Sequence, residues 1–583
     1  MGTRRCFSAR QTRLVSGNVP RMRGSLWVLP GYLVATVLFL WPLMGVFTGW
    51  LPAVYAAHEP LHQAFFLGWD LQALATQPWD VFRAPIFYPA PRALTYMDHL
   101  LGEAILAWPV AALTGNLAIA YNAILGFSFV ASAWATYRLA RFLSISTAGS
   151  FLCGFLYAFA PYRFSNLGEL NQLQTQFLPL GLWLALRFAR RRRSGDLFGA
   201  AATLAAQGWF GWYGAVHLGV SLAVLALYAA VAPGMRRGNV PWPRVALAAA
   251  VAAAMILPVA TPYVLERRSD SGARRTLGEA ALYSADLLDY MRVNRENWAL
   301  AGAGWPAGDQ GYWPGVVTVA FAIVGALALR ARPPAGGEAI PFPSERRFFA
   351  LLAASGVVLS LGPVLHVAGR TLPVPLPYAA LHFAPLFSGM RAPGRFTVVA
   401  LLGLAMLAGI GYEELRRRLR PSRRAILSGI ALGVAGLTSY SAPFPLVRLP
   451  GRASMPAVYQ WIGAQPGRFA VLELPMPASE RDEGVREATR MIYALYHGKP
   501  ILDGLASYVP PATRRLREAM QRFPQPAAVT AAARMGARTL VVHYGEIAAA
   551  ERDEIRRRAS AAPGLRAITS FGHDVVYEIV PAP

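Results

Sequence analysis

The sequence contains few cysteines and almost no lysine. Only Cys6 and Cys153 are cysteines, one in the N-terminal arm and one in an apolar run. Two cysteines placed in this way cannot form a disulfide framework, a zinc site or a redox pair. Lys499 is the only lysine, so arginine carries nearly all of the positive charge. We attribute this bias to the base composition of the gene rather than to a mechanism.

Several motifs of well-known chemistry are also absent. The sequence has no GxxxxGK[ST] phosphate loop, which excludes an ATP-driven pump, and it has neither the HExxH of zinc proteases nor a GxSxG nucleophile elbow. Charged residues are scarce, at 15%, whereas 55% of the residues are hydrophobic and the mean hydropathy is +0.35. These values indicate a multi-span membrane protein rather than a soluble one.

Apolar runs of about 15–24 residues, long enough for membrane helices, recur along the chain. The first, 26–49, follows a basic arm (1–25) and is too long for the apolar part of a signal peptide, so we predict a retained signal anchor. Segment 99–114 is short and contains Glu103 and Pro109, and we predict that it lies half-inserted at the membrane surface. The other predicted spans are 117–138, 145–160, 172–189, 196–210, 213–232, 244–263, 312–331, 348–364, 394–415 and 424–440.

The charges predict the topology. A net charge of +25 would suggest nucleic-acid binding if it lay on one soluble domain. The arginines instead cluster in short loops between spans, as the positive-inside rule requires, so we predict no nucleic-acid partner. The cytoplasmic clusters are Arg138, Arg141, Arg190 to Arg193, Arg236, Arg237, Arg346, Arg347 and Arg416 to Arg418. We therefore predict a multi-pass protein of the cell (inner) membrane with a cytoplasmic N-terminus.

This topology gathers the polar, aromatic-rich loops on the opposite, extracytoplasmic face. They are 50–116, 161–171, 264–311, 365–393 and the region from 441 onward. We therefore expect a mainly α fold in which residues 26–440 form a polytopic helical membrane domain with a first outer loop at 50–116. Residues 441–583 alternate amphipathic stretches with short apolar strands at 469–474, 539–543 and 575–579, which predicts a small extracytoplasmic α/β domain.

Two carboxylates stand out in the first outer loop. Glu59 lies just after the first span, and Asp98 lies at the start of the half-inserted segment. Acidic groups are costly at a membrane face, which favours a function: one as a general base, the other binding a metal or orienting an acceptor. The alternative is that Glu59 caps a helix over 60–76 and Asp98 caps one over 99–114. Asp70 and Asp80 are interpreted as solvated residues.

Three further outer segments carry candidate binding residues. Tyr162, Arg163, Glu169 and Gln172 belong to a polar run suited to a sugar, with Arg163 either binding phosphate or neutralised by Glu169. Arg391 and Arg395 break the positive-inside trend, and either a bound phosphate or a salt bridge to the first outer loop explains them. The segment 283–290 either contacts substrate or is a helix start capped by Ser284.

Short motifs spread along the chain resemble those of the multi-span glycosyltransferases of the C superfamily (GT-C), specifically a bacterial branch. They are APIFYP at 84–89, DHLLG at 98–102, APYR at 160–163, QFLPL at 176–180, YSADL at 283–287, RAPGRF at 391–396 and PILDG at 500–504, with Tyr121-Asn122 as a minor part. The chain departs from that pattern at His58-Glu59-Pro60, where relatives have Gly-Asp-Pro, and at Glu169, where relatives have His.

The resemblance implies a fold and a reaction. In that superfamily the first outer loop carries the catalytic acid and the donor is a polyprenyl-phosphate-linked sugar. Glu59 is then the expected base, with Asp98 assisting or holding a divalent metal. His99, Tyr162, Arg163, Glu169, Gln172, Arg391 and Arg395 are the expected substrate-binding residues.

The leading hypothesis is therefore a membrane glycosyltransferase that acts on a glycan, lipid or protein acceptor at the outer face. The alternatives are a non-enzymatic transporter or flippase of lipid-linked glycan, a degenerate family member, and a scaffold for envelope-polysaccharide assembly. A transporter should carry charged residues in the middle of several spans, whereas the spans of this chain are nearly free of charge.

Overall fold

A computed structural model describes residues 26–232, 235, 240–269, 275–328, 343–384, 387–479 and 484–580. The basic arm 1–25, Arg236 and Arg237 lie outside the described residues, as does the end of the predicted span 312–331.

Each predicted span contains a helix, although the bounds of several differ from those predicted. The first is shorter than predicted, because its helix ends at Phe39 and a single further turn, Trp41–Met44, follows. The segment at 99–114 is a helix too, Leu101–Thr114. The helices of the membrane domain are Val28–Phe39, Leu101–Thr114, Leu117–Phe142, Thr147–Ala158, Phe177–Arg191, Ser194–Trp209, Trp212–Val231, Trp242–Ser269, Val316–Ala328, Pro343–Ser360, Thr397–Arg418 and Pro421–Ser439.

Four helical stretches in the described ranges are long and apolar enough, by length and composition, to cross a membrane. They are Leu117–Phe142, Trp212–Val231, Trp242–Ser269 and Pro393–Arg418, the last including a 3-10 turn. Val28–Phe39, Leu101–Thr114 and Val316–Ala328 are shorter apolar helices. The chain is therefore a multi-pass membrane protein.

Small residues let the central helices approach closely. A Cβ atom at Gly325 would overlap the carbonyl oxygen of Leu407, and one at Gly411 would overlap that of Phe321. Helices Val316–Ala328 and Thr397–Arg418 thus pack backbone against backbone, which is how membrane helices gain packing energy without a hydrophobic driving force. Thr397–Arg418 lies at the centre of the bundle and is almost entirely buried.

The basic loops meet at one end of this bundle. Arg190 pairs with Glu345, and Arg346 Nη2 donates to the carbonyl of Leu143 at 3.1 Å. Arg416 pairs with Glu413 at 2.7 Å. Segments that the charge pattern assigned to one face are therefore neighbours in space, at the end of the bundle where Thr397–Arg418 finishes.

The first outer loop folds into a buried helix and a strand. The helix spans His58–Thr76, and its sequence is apolar enough that most of its side chains are buried. The strand, Trp50–Pro52, pairs antiparallel with Leu446–Arg448, which follows the last membrane helix. The pairing thereby joins the start of the first outer loop to the segment that follows the last membrane helix.

The region from 441 forms the predicted small α/β unit. Its four-stranded sheet has the order Ala470–Leu474, Ala537–His543, Asp574–Ile579, Leu565–Phe571, with the first pair parallel and the others antiparallel. The three predicted strands are confirmed, and Leu565–Phe571, half-exposed and partly polar, is an additional edge strand. Its helices are Ala457–Ala464, Val485–His497, Pro511–Met520, Pro526–Arg534 and Ala549–Ser560.

Two of the resemblance motifs bind each other where this unit meets the first outer loop. In the APIFYP and PILDG segments, Tyr88 N donates to Ile501 O at 3.0 Å and Ile501 N donates to Pro85 O at 3.0 Å. Phe87 N also donates to Asp503 O at 3.3 Å. One continuous apolar core runs from the membrane helices through these segments into the C-terminal unit, so the two predicted domains share a core. The boundary at 440/441 stays a prediction.

Candidate active site

A cavity of about 1030 Å³ lies where the outer loops converge. Its walls contain residues from every loop that the charges assign to the outer face. The lining residues lie between Tyr55 and Asp98 in the first loop, between Tyr162 and Asn171 in the second, between Val264 and Gln310 in the third and between Gly389 and Ala392 in the fourth. The C-terminal unit contributes Ser479 and Leu505 to Tyr508. A space of this size accommodates a sugar, a phosphate and part of an acceptor together. We call it the large cavity.

Glu59 lies in the first turn of helix His58–Thr76 and lines the large cavity. Its side chain is 23% exposed, 3.6 Å from His58 Nε2 and 4.0 Å from His62 Nδ1. Burial raises the pKa of this carboxyl, but interactions with the two histidines and the charge of Arg395 outweigh burial and lower the pKa to about 2. Glu59 is therefore a stable carboxylate and a weak base. The helix begins at His58 with Ala57 at its N-cap position, so Glu59 lies inside the first turn and the alternative that it caps a helix over 60–76 is wrong.

Asp98 lines the same cavity but is held differently. Its carboxylate accepts from the N–H of Trp212 at 3.0 and 3.2 Å and from Asn171 Nδ2 at 3.4 Å. Burial raises the pKa of Asp98 to about 6, and those N–H groups and Arg395 oppose this only in part. Asp98 thus sits at the N-terminus of helix Trp212–Val231, with a pKa suited to a general base. The helix Leu101–Thr114 has Leu100 and not Asp98 at its N-cap position, so the alternative that Asp98 caps it is wrong.

The guanidinium of Arg395 carries a positive charge that interacts with the acids of the site. Its guanidinium pairs with Glu169 and stacks on the ring of Tyr213 at 4.5 Å. The electrostatic influence of Arg395 reaches both Glu59 and Asp98. Glu169 pairs with Arg395 and not with Arg163, so the predicted neutralisation of Arg163 by Glu169 is wrong.

Arg391 lies beside this pair and is less constrained. Its guanidinium stacks on the ring of Tyr283 at 4.6 Å, and among the described residues no carboxylate pairs with it. The backbone around it is fixed by one hydroxyl, because Arg391 N and Ala392 N both donate to Tyr213 Oη, at 2.9 and 3.1 Å. The RAPGRF segment therefore presents a guanidinium with unused donors to the large cavity.

The C-terminal unit supplies one wall. The guanidinium of Arg275 donates to the carbonyl of Ser507, and Ser507 Oγ contacts Met97 Sδ at 3.0 Å. The rings of Tyr508 and Tyr96 lie 5.7 Å apart. The residues that follow PILDG thus form one wall of the large cavity.

Three predicted binding residues do not line the large cavity. His99 is fully buried behind Asp98, with its ring nitrogens 3.1 Å from Tyr263 Oη and 3.1 Å from Gly208 O. Arg163 and Gln172 line a much smaller, adjoining cavity of about 30 Å³. Tyr162 contributes to both cavities and stacks on Tyr312 at 5.5 Å. Direct substrate contact by any of these residues stays a prediction.

Two other interpretations are corrected. Asp70 is not solvated but fully buried, because it lies on the side of its helix that packs against the membrane domain. Its Oδ2 atom accepts from the N–H of Leu100 at 2.9 Å. In segment 283–290 the cap is Asp286, in a reciprocal capping box with Asp289, while Ser284 donates to the carbonyl of Ala280. Asp80, half-exposed and 3.2 Å from Arg83, is the solvated residue that was predicted.

The sequence did not indicate Tyr213, Trp212 or Ser507 as parts of the site. Trp212 and Tyr213 lie at the outer end of a predicted span, where aromatic residues are expected as interface anchors, so nothing marked them as partners of Asp98 and Arg395. In the described part of the chain, no group of three or more His, Cys, Asp or Glu is arranged to hold a metal ion. The divalent metal stays a prediction.

Comparison with known proteins establishes the fold. No family model matches the sequence, and no curated protein matches it. Among solved structures, the mycobacterial arabinofuranosyltransferase AftD superposes with a TM-score of 0.60 at 14% identity, over 96% of this chain and 42% of AftD. The oligosaccharyltransferase AglB of Archaeoglobus fulgidus, solved with an inhibitory peptide and a dolichol-phosphate, superposes with a TM-score of 0.51 at 12% identity, over 90% of this chain and 69% of AglB.

This chain therefore spans less than half the length of AftD. At identities this low, the likeness concerns the path of the backbone and not the substrates. The chain has the backbone fold of AftD and AglB, which are themselves membrane glycosyltransferases of the C superfamily.

Proposed function

We propose that this protein transfers a sugar from a polyprenyl-phosphate donor to an acceptor hydroxyl or amide at the extracytoplasmic face of the cell membrane. The observation that carries the proposal is the composition of the large cavity. Two carboxylates, Glu59 and Asp98, face the guanidiniums of Arg391 and Arg395 across one space in which all the outer loops meet. The dolichol-phosphate bound to AglB supports a lipid-phosphate donor.

The phosphate of the donor is assigned to Arg391 first. Arg395 is already paired with Glu169, whereas the donors of Arg391 are not engaged by a described carboxylate. A guanidinium binds phosphate through two parallel N–H bonds, and the charge of Arg395 lies beside it. The two arginines would stabilise the negative charge that builds on the lipid phosphate as it leaves.

Asp98 is the better-matched base. The acceptor oxygen or nitrogen attacks the anomeric carbon, the bond from that carbon to the phosphate oxygen breaks with its electron pair, and the acceptor proton passes to a carboxylate. A base works best with a pKa near the working pH, which favours Asp98, at about 6, over Glu59, at about 2. Glu59 then remains ionised and orients the acceptor.

The transporter alternative is not favoured, because the fold is that of glycosyltransferases and the charged groups of the large cavity lie in loops at the ends of the bundle. A degenerate member would keep the cavity and lose turnover, so only an assay distinguishes it from an enzyme. The scaffold alternative requires none of these acids.

The test is sugar transfer by the purified protein in lipid, with a panel of polyprenyl-phosphate sugars. Wild type is compared with Asp98→Asn, Glu59→Gln and Arg391→Gln, and with Asp80→Asn, a half-exposed acid of the same loop outside the cavity, as the matched control. We expect transfer to fall at least about 100-fold for Asp98→Asn while Asp80→Asn retains it. An equal loss of transfer in Asp98→Asn and Asp80→Asn would refute the proposal, as would binding of the donors without any transfer.

A further inference from the structure

Arg163 is buried in the interior of the helical bundle, away from the large cavity. Its side chain is 1% exposed, which makes it the largest fully buried side chain in the described part of the chain. It follows Ala160-Pro161-Tyr162, and its short helix Pro161–Phe164 packs among the membrane helices. A guanidinium does not lose its proton in a protein, so a full positive charge lies in this interior.

The partners of this charge are all neutral. Arg163 Nη2 donates to Leu173 O at 2.9 Å and to Ser128 Oγ at 3.3 Å, and the guanidinium lies 4.5 Å from the centre of the Phe129 ring. Arg163 Nε and Nη1 are buried without a hydrogen-bond partner. Among the described residues no carboxylate forms an ion pair with it. An unpaired buried charge with unmet donors is among the costliest arrangements in a protein, and native structures rarely leave it uncompensated.

A small cavity adjoins this guanidinium. It measures about 30 Å³ and is lined by Arg163, Asn171, Gln207, His217 and Arg395, among others. His217 Nε2 is a second buried nitrogen without a hydrogen-bond partner. The volume is enough for about two water-sized particles and far too small for a sugar phosphate. The only other charged residue of its lining, Arg395, is positive and is already paired with Glu169.

We propose that this small cavity binds a single halide-sized anion, chloride under ordinary conditions. Arg163 Nε and Nη1 donate to it, and His217 donates from Nε2 in the matching tautomer. A co-bound water then satisfies Asn171 Oδ1, a buried acceptor on the same wall. The anion supplies the missing countercharge of Arg163 and separates it from the guanidinium of Arg395. This proposal does not rest on the transferase activity, although Asn171 and Arg395 line both cavities.

The experiment is halide-dependent unfolding of the full chain in detergent. The protein is exchanged into sodium gluconate, and chloride or bromide replaces gluconate at constant ionic strength. We expect the unfolding temperature to rise by a few degrees and to saturate, as for a ligand that binds only the native state. Arg163→Met should abolish the rise, Arg163→Lys should keep it at higher halide concentration, and Arg515→Met, which removes an exposed arginine, should leave it unchanged.

Identical unfolding in gluconate and chloride would overturn the proposal, as would a halide response that survives in Arg163→Met. If Arg163→Met does not fold, the wild type alone decides. Bromide-soaked crystals should then show an anomalous peak between Arg163 and His217, and water alone at that position would refute the site.

Discussion

Gly211 lies so close to Asp98 that a Cβ atom built on it would be 3.0 Å from Asp98 Oδ2. Its φ of 124° is also one that side chains with a Cβ rarely adopt. The chain turns there so that the N–H of Trp212, the first residue of the next helix, reaches the carboxylate. A glycine outside the resemblance motifs thus sets the position of the candidate base.

We expect Gly211→Ala to lower the free energy of unfolding by about 1–3 kcal/mol, because it adds backbone strain and a steric conflict with Asp98. The rate of sugar transfer should also decrease, because the added methyl group displaces the Asp98 carboxylate. Unfolding in detergent and transfer rates check this. The control is Gly219→Ala on the same helix, where a Cβ would meet nothing within 4 Å. Equal effects at the two glycines would contradict the role of Gly211.

The pH dependence of transfer separates the two carboxylates. A base acts only when ionised, and burial raises the pKa of Asp98 to about 6. With Asp98 as base, kcat/KM should therefore be constant above pH 7 and fall about tenfold per pH unit well below pH 6. If Glu59, whose pKa is lowered to about 2, were the base, kcat/KM would decrease only below the pH range in which the protein is assayed. A flat profile between pH 5 and 8 would exclude Asp98.

The pair of Arg395 and Glu169 should behave as one unit. Breaking a largely buried ion pair leaves one charge without its partner, and we expect Arg395→Gln and Glu169→Gln each to cost about 3–5 kcal/mol of stability. The double variant should cost less than the sum of the single ones. A double-mutant cycle of unfolding free energies measures this coupling. Additive losses would show that the two side chains act separately.

Arg517 supports the site from a distance. Its guanidinium binds Asp503 Oδ1 at 2.7 Å and Gly504 O at 2.8 Å, which fixes the PILDG turn against the first outer loop. We expect Arg517→Met to destabilise the protein by about 2–4 kcal/mol and to raise the KM for acceptor, because the neighbouring wall at 505–508 loosens. Arg515→Met, an exposed arginine on the same helix, is the control. An unchanged KM for acceptor would show that Arg517 does not hold the cavity wall at 505–508 in place.

The membrane domain was largely predictable, because apolar runs and arginine clusters follow directly from the requirements of a bilayer. The same asymmetry gathered the outer loops, and they do line one cavity. The strands at 470–474, 537–543 and 574–579 were also evident, since buried strands are nearly continuous apolar runs.

The arrangement inside the cavity was not predictable. Whether Glu169 pairs with Arg163 or with Arg395 depends on the direction of two side chains far apart in sequence. Asp70 looked like a solvated residue because the sequence cannot show which side of helix His58–Thr76 packs on the bundle. The role of Tyr213, which holds the arginine segment through its hydroxyl, likewise depends on tertiary contacts alone.

The pairing of strand Trp50–Pro52 with Leu446–Arg448 has a consequence for biogenesis. The first outer loop leaves the ribosome early, but its strand partner follows the last membrane helix and its cavity wall at 505–508 follows later still. Helix His58–Thr76 can pack on the early membrane helices, but the loop lacks its strand partner and one wall of its cavity until 446–448 and 505–508 have been made. Assembly of the site therefore waits until residue 508 has been made, and a chain truncated before 508 would leave the cavity open on one side.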